Sequence, residues 1–369
     1  MHQLELPALR SDDPLGFLSA LGILELTTAT LPTEPLLHWK GPGGAAVLTT
    51  DQPLTLDTLT KLLTTHLPPK PVKTARGTGE PADTAEAEDG KSDNADAAGV
   101  EGERWDSFPH VPGLLTRPRE DATVPNEALR MRVDTAHQTL RELAQSERET
   151  SDRHARWFAS LANVMCFEDT KPKTGKNDPE STEEPESTTV RRTRVTPLIA
   201  AAGQMTITGL MQKAVLGCQN DLRQIRSALD GWRRIPDYAS ANFDHRSLGD
   251  AHTNSEGKAY QRGAPGPTWL ALHALATFRL TATGRTQAAT SWDTTNSRGA
   301  LRWPAWTPPL TTTDVTVLLE HPAVRATEPG TNRNVRMLTN LGVTALYTAP
   351  RTGLKQSNGP LAASRHLWP

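Results

Sequence analysis

Between residues 244 and 252 the chain reads DHRSLGDAH, its densest run of side chains able to do chemistry. Asp244, His245, Ser247, Asp250 and His252 supply carboxylates, imidazoles and a hydroxyl. Two carboxylates and a histidine converging on one cation would make a metal-dependent nuclease. The spacing does not require that, because the same residue types build turns and helix caps. A second set surrounds this run. Arg191, Arg192, Arg194, Arg223, Arg226, Arg233, Arg234, Arg246 and Arg262 are interleaved with Trp232, Tyr238, Phe243 and Tyr260. Arginine forks onto phosphate oxygens and aromatic rings stack on bases. The nine arginines with Tyr238 and Tyr260 are therefore the candidate nucleic-acid-binding set. The competing reading places Trp232 and Phe243 in the core and leaves the arginines solvated. Gln204, alone among small residues in AAGQM, either satisfies a buried backbone group or reads a base edge.

Other chemistry has no foothold. No phosphate-binding loop, dinucleotide fingerprint, nucleophile elbow or His-Glu-x-x-His pair occurs. The GPGG at 41–44 reads as a turn. The two cysteines, Cys166 and Cys218, make neither a disulfide framework nor a zinc cluster. No catalytic residue, metal ligand or cofactor is expected.

Charge is unevenly distributed. Residues 80–103 hold nine acids and one base, and residues 168–186 seven acids and three lysines. Residues 190–369 carry 21 Lys/Arg against 10 Asp/Glu, although the whole 369-residue chain has a net charge of −2. A basic body implies a polyanionic partner, with an arginine-rich proteome as the plain alternative. The opening residues lack a basic stretch followed by an apolar one, and no apolar run is long enough to span a bilayer. The expectation is a soluble cytoplasmic protein with no membrane partner.

The elements that must position these groups start with LRSDDPLGFLSALGILELTT at 9–28. Asp12 or Asp13 serves as N-cap and Pro14 opens the helix. Phe17, Leu21 and Leu24, flanked by Leu15, Leu18, Ile23 and Leu26, leave it apolar on most sides, as a buried helix is. Gly16 and Gly22 each cost about 1 kcal/mol against alanine there, which points to close approach of another backbone, with a direct ligand role for the two glycines as the alternative. Residues 2–8 read as a strand, 36–50 as a hairpin around GPGG, and 54–67 as a helix. Residues 126–166 read as two helices or one broken helix. An amphipathic helix covers CQNDLRQIRSALDGWRR, with Ile225, Leu229 and Trp232 on the face of Leu222. A loop of about 30 residues follows, long for a compact domain and often functional at that length. Then come a helix at TWLALHALATF, a strand at FRLTAT, a hairpin ending in Pro/Trp, a short helix at DVTVLLEHPAVR and a final strand at LGVTALYTAPRT. The fold class is α+β, mixed helices and short antiparallel sheets with two disordered acidic inserts. The divisions are 1–67, an N-terminal α+β segment; 68–104, a disordered acidic insert; 105–168, a helical segment; 169–190, a second insert; and 191–369, a basic C-terminal α+β region.

DDPLGFLSALGILEL, the Ala202-Gly203-Gln204 element and the closing Gly342, Val343, Tyr347 and Arg351 together resemble the large-subunit-like proteins of the type I-G (formerly I-U) CRISPR effector. The resemblance touches the first 28 residues, the 198–234 region and the last 30. It implies a non-catalytic subunit of a crRNA-guided, Cascade-like complex. Its partners would be target DNA, crRNA and other effector subunits, with recruitment of a helicase-nuclease. Guide pairing would read sequence while protein handles backbone and flanking motif. It transfers no catalytic residue. A metal-dependent nuclease using the 244–252 loop, or a scaffold without nucleic-acid contact, stand as the alternatives.

Overall fold

The computed structural model describes residues 1–68, 132–145, 148–161, 163–170, 189–194, 196–199, 207–253, 259–283, 286–295, 298–326, 332–353 and 359–368. The acidic run at 80–103, Trp105, most of the second insert and the Ala202-Gly203-Gln204 element lie outside them.

In chain order β1 (His2–Arg10) leads into α1 (Pro14–Thr28), followed by β2 (Leu36–Trp39), β3 (Ala45–Thr50) and α2 (Leu56–Thr64). Next come α3 (Val133–Gln145), α4 (Arg148–Leu161), β4 (Phe167–Thr170), β5 (Val190–Thr193), α5 (Ile207–Asn220) and α6 (Arg223–Asp230). The third quarter holds β6 (Ile235–Pro236), β7 (Leu248–Thr253), β8 (Ala259–Gly263), α7 (Pro265–His273), β9 (Leu280–Thr283) and β10 (Thr286–Ala289). The chain closes with β11 (Trp292–Asp293), β12 (Ala300–Trp306), α8 (Thr312–Glu320), α9 (Pro322–Ala326), α10 (Asn332–Asn340), β13 (Val343–Pro350) and β14 (Arg365–Trp368). The strands form small sheets ordered β1-β3-β2, β4-β5, β6-β8-β7, β9-β10 and β11-β12-β13-β14. Their paired strands run antiparallel. The fold is α+β.

Helix α1 is its axis. The Asp13 carboxylate accepts from the amides of Leu15 and Gly16 at 3.0 and 3.2 Å, and Pro14 occupies the first turn. These amides have no partner inside the helix, so the cap satisfies them. Only Glu25 and Thr28 of the helix escape full burial. A Cβ on Gly22 would lie 1.8 Å from the Leu270 carbonyl oxygen, so α1 and α7 cross backbone to backbone. One on Gly16 would lie 2.9 Å from Arg10 N and O. The Ser19 hydroxyl sits 2.7 Å from Leu15 O and 2.8 Å from Pro267 O, a polar stitch at the same crossing.

Aromatic rings join the two ends of the chain over this helix. Phe17 stacks on Trp39 at 6.1 Å and on Trp303 at 5.5 Å, and meets the edge of Trp306 at 6.4 Å. Such pairs add about 0.5–1.5 kcal/mol each beyond the area they bury. The indole N–H groups of Trp303 and Trp306 donate to Ser11 O and Leu37 O, both at 2.8 Å. A single apolar cluster runs from Leu6 to Leu361 and draws on segments either side of both inserts. The sequence-based divisions are therefore stretches of chain that share one core. Among the described residues no helix is long and apolar enough to cross a membrane.

Residues 237–267, expected as one long loop, contain β7 and β8, with β6 just before them at 235–236. The helix expected over 218–234 also divides. Helix α5 ends at Asn220 and α6 begins at Arg223, so Leu222 at the break is exposed while Ile225 and Leu229 are buried.

Candidate nucleic-acid interface

Most of the candidate arginines meet carboxylates of the fold. Arg191 reaches Asp169 at 3.3 Å across the β4–β5 hairpin and lies 4.9 Å over the Phe167 ring. Arg192 is buried, and Arg194 is half-buried with its amide donating to Cys166 O at 2.9 Å. Arg226 bridges Asp57 of α2, at 3.2 Å, and Asp230, at 3.1 Å. Arg223 and Arg233 share Asp221, at 2.7 and 3.5 Å. The Arg223 guanidinium bonds to Asp221 and holds that carboxyl below its ordinary range.

Arg234 and Arg246 form a ladder that ends on the helix cap. Asp244 is fully buried, with Arg234 Nη1 at 2.6 Å from one oxygen and Arg246 Nε at 3.2 Å from the other. Arg246 also pairs with Asp13 and lies 4.8 Å over the half-buried Trp232 ring. The ladder Arg234–Asp244–Arg246–Asp13 thus pins the 234–247 segment to the start of α1. Each Asp244 oxygen faces a guanidinium group, Oδ1 hydrogen-bonded to Arg246 and Oδ2 in an ion pair with Arg234 without a hydrogen bond, an arrangement suited to a structural carboxylate. His245 lies near Asp13, while Asp250 and His252 lie on β7. No group of three His, Cys, Asp or Glu side chains with metal-binding geometry occurs among the described residues.

Burial raises the Asp13 carboxyl above its ordinary value of 3.8, outweighing the opposite pull of Arg246. A carboxyl whose pKa is raised by folding contributes most below its unfolded value and loses that contribution as pH rises through the folded one. Asp13→Asn keeps a cap oxygen and removes the titration. Its stability relative to wild type is expected to improve as pH rises from about 3.8 toward neutrality. Urea midpoints across that range check this; a constant difference contradicts it.

Two of the aromatic candidates are inward-facing. Phe243 is buried in the core. Tyr238 directs its hydroxyl at buried Thr268 and Cys218, and burial pushes its pKa far above the ordinary phenol value. Phe243 has no ring face to offer a base, and Tyr238 is half-buried with its hydroxyl turned inward.

Tyr260 and Arg262 remain. They alternate along β8 and so share one face, and both are exposed. The opposite face carries half-buried Gln261 and buried Gly263, where an added Cβ would lie 2.4 Å from Tyr238 O. Arg262 has no carboxylate partner among the described residues, and its carbonyl accepts from Arg234 Nη1 at 2.9 Å. Strand β8 pairs with β6, which the chain enters directly from Arg233 and Arg234. Arg223 and Arg233, 73% and 49% exposed, contribute one cation more than Asp221 neutralises. Tyr260, Arg262, Arg223 and Arg233 are the exposed members that the described carboxylates do not fully neutralise, while the exposed Arg191 and Arg246 each pair with an aspartate. Asp221 was the missed residue. Its place two before Arg223 was a local signal, whereas the pairing with Arg233 needs the turn after α6.

The closing motif is structural throughout. Gly342 has φ +72°, and a Cβ there would meet Pro308 Cδ at 2.5 Å. Val343 is buried, and the Tyr347 hydroxyl accepts from Gly43 N at 2.8 Å beside Ser11. Arg351 donates to Leu198 O at 2.8 Å and Gly359 O at 3.1 Å, and burial lowers its pKa to about 10. No protein-family model matches the chain, and no curated protein matches it. What the residues define is an α+β protein with one core and a small basic, aromatic-bearing strand face.

Proposed function

We propose that this chain is a non-catalytic nucleic-acid-binding subunit of a crRNA-guided, Cascade-like antiviral complex, contacting the backbone of target DNA. The observation that carries the binding role is the exposed face of β8 that Tyr260 and Arg262 share, where Arg262 has no carboxylate partner among the described residues. Arginine holds phosphate while tyrosine stacks on a base, and such a face suits a single strand. The excess of 11 bases in residues 190–369 supports the same partner. The assignment to a guided complex rests on the resemblance of the opening and closing motifs. Those two segments meet in space, since Tyr347 lies against Gly43 and Ser11 beside the α1 cap.

Anisotropy of a labelled single-stranded oligonucleotide tests the binding role. With Arg262 and the one cation that Arg223 and Arg233 leave over each neutralising a phosphate, log affinity should fall against log salt with a slope of about −1.4. Arg262→Ala should lower the slope by about 0.7 and leave stability unchanged. Affinity that is flat with salt contradicts the reading. Co-purification with effector subunits and crRNA tests the complex separately.

A further inference from the structure

Arg246 has a paired charge and an exposed plane. Its Nε reaches Asp244 at 3.2 Å and its Nη2 pairs with Asp13, so the charge is matched. The side chain is nevertheless 45% exposed. Its Cζ lies 4.8 Å from the centre of the Trp232 ring, and that indole packs against the core with its Nε1 edge buried. One face of the guanidinium therefore rests on a fixed ring, while Nε and Nη2 point at carboxylates. What stays open is the opposite face with the Nη1 edge.

The segment that carries Arg246 is held in an uncommon shape. Asp237, Ser240, Ala241 and Asn242 all have φ between +48° and +61°, in the left-handed region. Ser240 and Ala241 have no local reason for it, since only Gly, Asn and Asp visit that region readily. The surroundings impose it. Ser240 is fully buried with its Oγ accepting from Ala264 N at 2.9 Å, and Asn242 O accepts from Leu361 N at 3.0 Å. Strain of this kind persists where neighbours over-determine the backbone, and it gathers at preorganised sites. Beyond it the Arg246 amide donates to Asp244 Oδ1 at 3.0 Å, so one carboxylate fixes both the backbone and the guanidinium. Arg234 joins this group to the strand face. Its Nη1 lies 2.6 Å from Asp244 and donates to Arg262 O at 2.9 Å. Arg262 and Arg246 are thus separated by one arginine and one carboxylate, a span within reach of neighbouring nucleotides on one strand.

We infer that Arg246, backed by Trp232, is a stacking platform for a nucleobase. A planar guanidinium stacks on a base as an aromatic ring does. With its charge already held by Asp13 and Asp244, Arg246 acts through its plane and not as a phosphate clamp. Lysine cannot replace it, because an ammonium is a point charge without a plane. The platform rests on the nucleic-acid reading and gives it a second contact: Tyr260 and Arg262 hold the strand, and a nearby base lies on Arg246.

Anisotropy of the labelled single-stranded oligonucleotide tests this with Arg246→Lys, which keeps the charge. Affinity at fixed salt should fall at least about fivefold, the low end for one stacked base. The salt slope should stay at its wild-type value, because no phosphate contact is lost. Oligonucleotides with a single abasic position, moved along the strand, test the platform without altering the protein. One position should weaken the wild-type chain about fivefold and Arg246→Lys not at all. Unchanged affinity in Arg246→Lys overturns the platform. So does a slope lowered by about 0.7, which would make Arg246 a phosphate contact, and so do abasic losses that add to Arg246→Lys at every position. Salt-independent binding by the wild-type chain sinks the strand face and the platform together. Salt-dependent binding with Arg246→Lys unaffected sinks the platform alone.

Discussion

Gly22→Ala is expected to remove the native fold or to lower its Tm by about 10 °C, although it adds one methyl group and favours a helix. The new Cβ would stand 1.8 Å from Leu270 O and 2.6 Å from its carbonyl carbon. Those are backbone atoms of α7, so no side chain can swing aside. The two helices must separate, and the aromatic stack around Phe17 and the Ser19–Pro267 contact open with them. Overpacking of this kind costs about 1–3 kcal/mol and more where the neighbours are rigid, which at about 2–4 °C per kcal/mol gives the shift quoted. Gly231→Ala is the control. Its Cβ would meet nothing within 4 Å, so it should change stability by no more than about 0.5 kcal/mol. Thermal unfolding of the two variants decides the matter: equal Tm values would mean that α1 and α7 do not cross as described.

Asp244→Ala should be the second costly change, by about 3 kcal/mol. Breaking a buried ion pair by removing one partner costs about 3–5 kcal/mol. The lower end applies because Arg234 and Arg246 are 24% and 45% exposed and can turn toward water. The variant also distinguishes two accounts of the same residue. A structural carboxylate gives a lower urea midpoint when removed. A nuclease carboxylate gives loss of Mg²⁺-dependent cleavage with the midpoint unchanged, and that pattern would restore the catalytic reading of the 244–252 loop.

Helix α1 was legible residue by residue. Its cap, its proline and its all-round apolar character are local properties, and the glycines pointed to a neighbouring backbone, which proved to be α7 for Gly22 and Arg10 for Gly16. The 36–50 hairpin and helices α2 to α4 were legible for the same reason. Residues 237–267 were not. Strands β6, β7 and β8 are short, have little alternating apolar pattern and pair only with one another. The arginines misled for a related reason. Arg226 meets Asp57 from another helix and Arg246 meets Asp13 from the far end of the chain, so that part of their neutralisation follows from topology, whereas their pairs with Asp230 and Asp244 lay within reach of spacing. Tyr260 and Arg262 could be read as candidates from their types, but their shared exposed face needed β8 to be a strand.

The most direct test of the strand-face account is photo-cross-linking of bromodeoxyuridine-substituted single-stranded DNA to the full-length protein, with the adducts mapped by mass spectrometry. The account predicts an adduct on Tyr260, lost in Tyr260→Leu and weakened in Arg262→Ala. Adducts confined to other segments, or undiminished by either substitution, would contradict it.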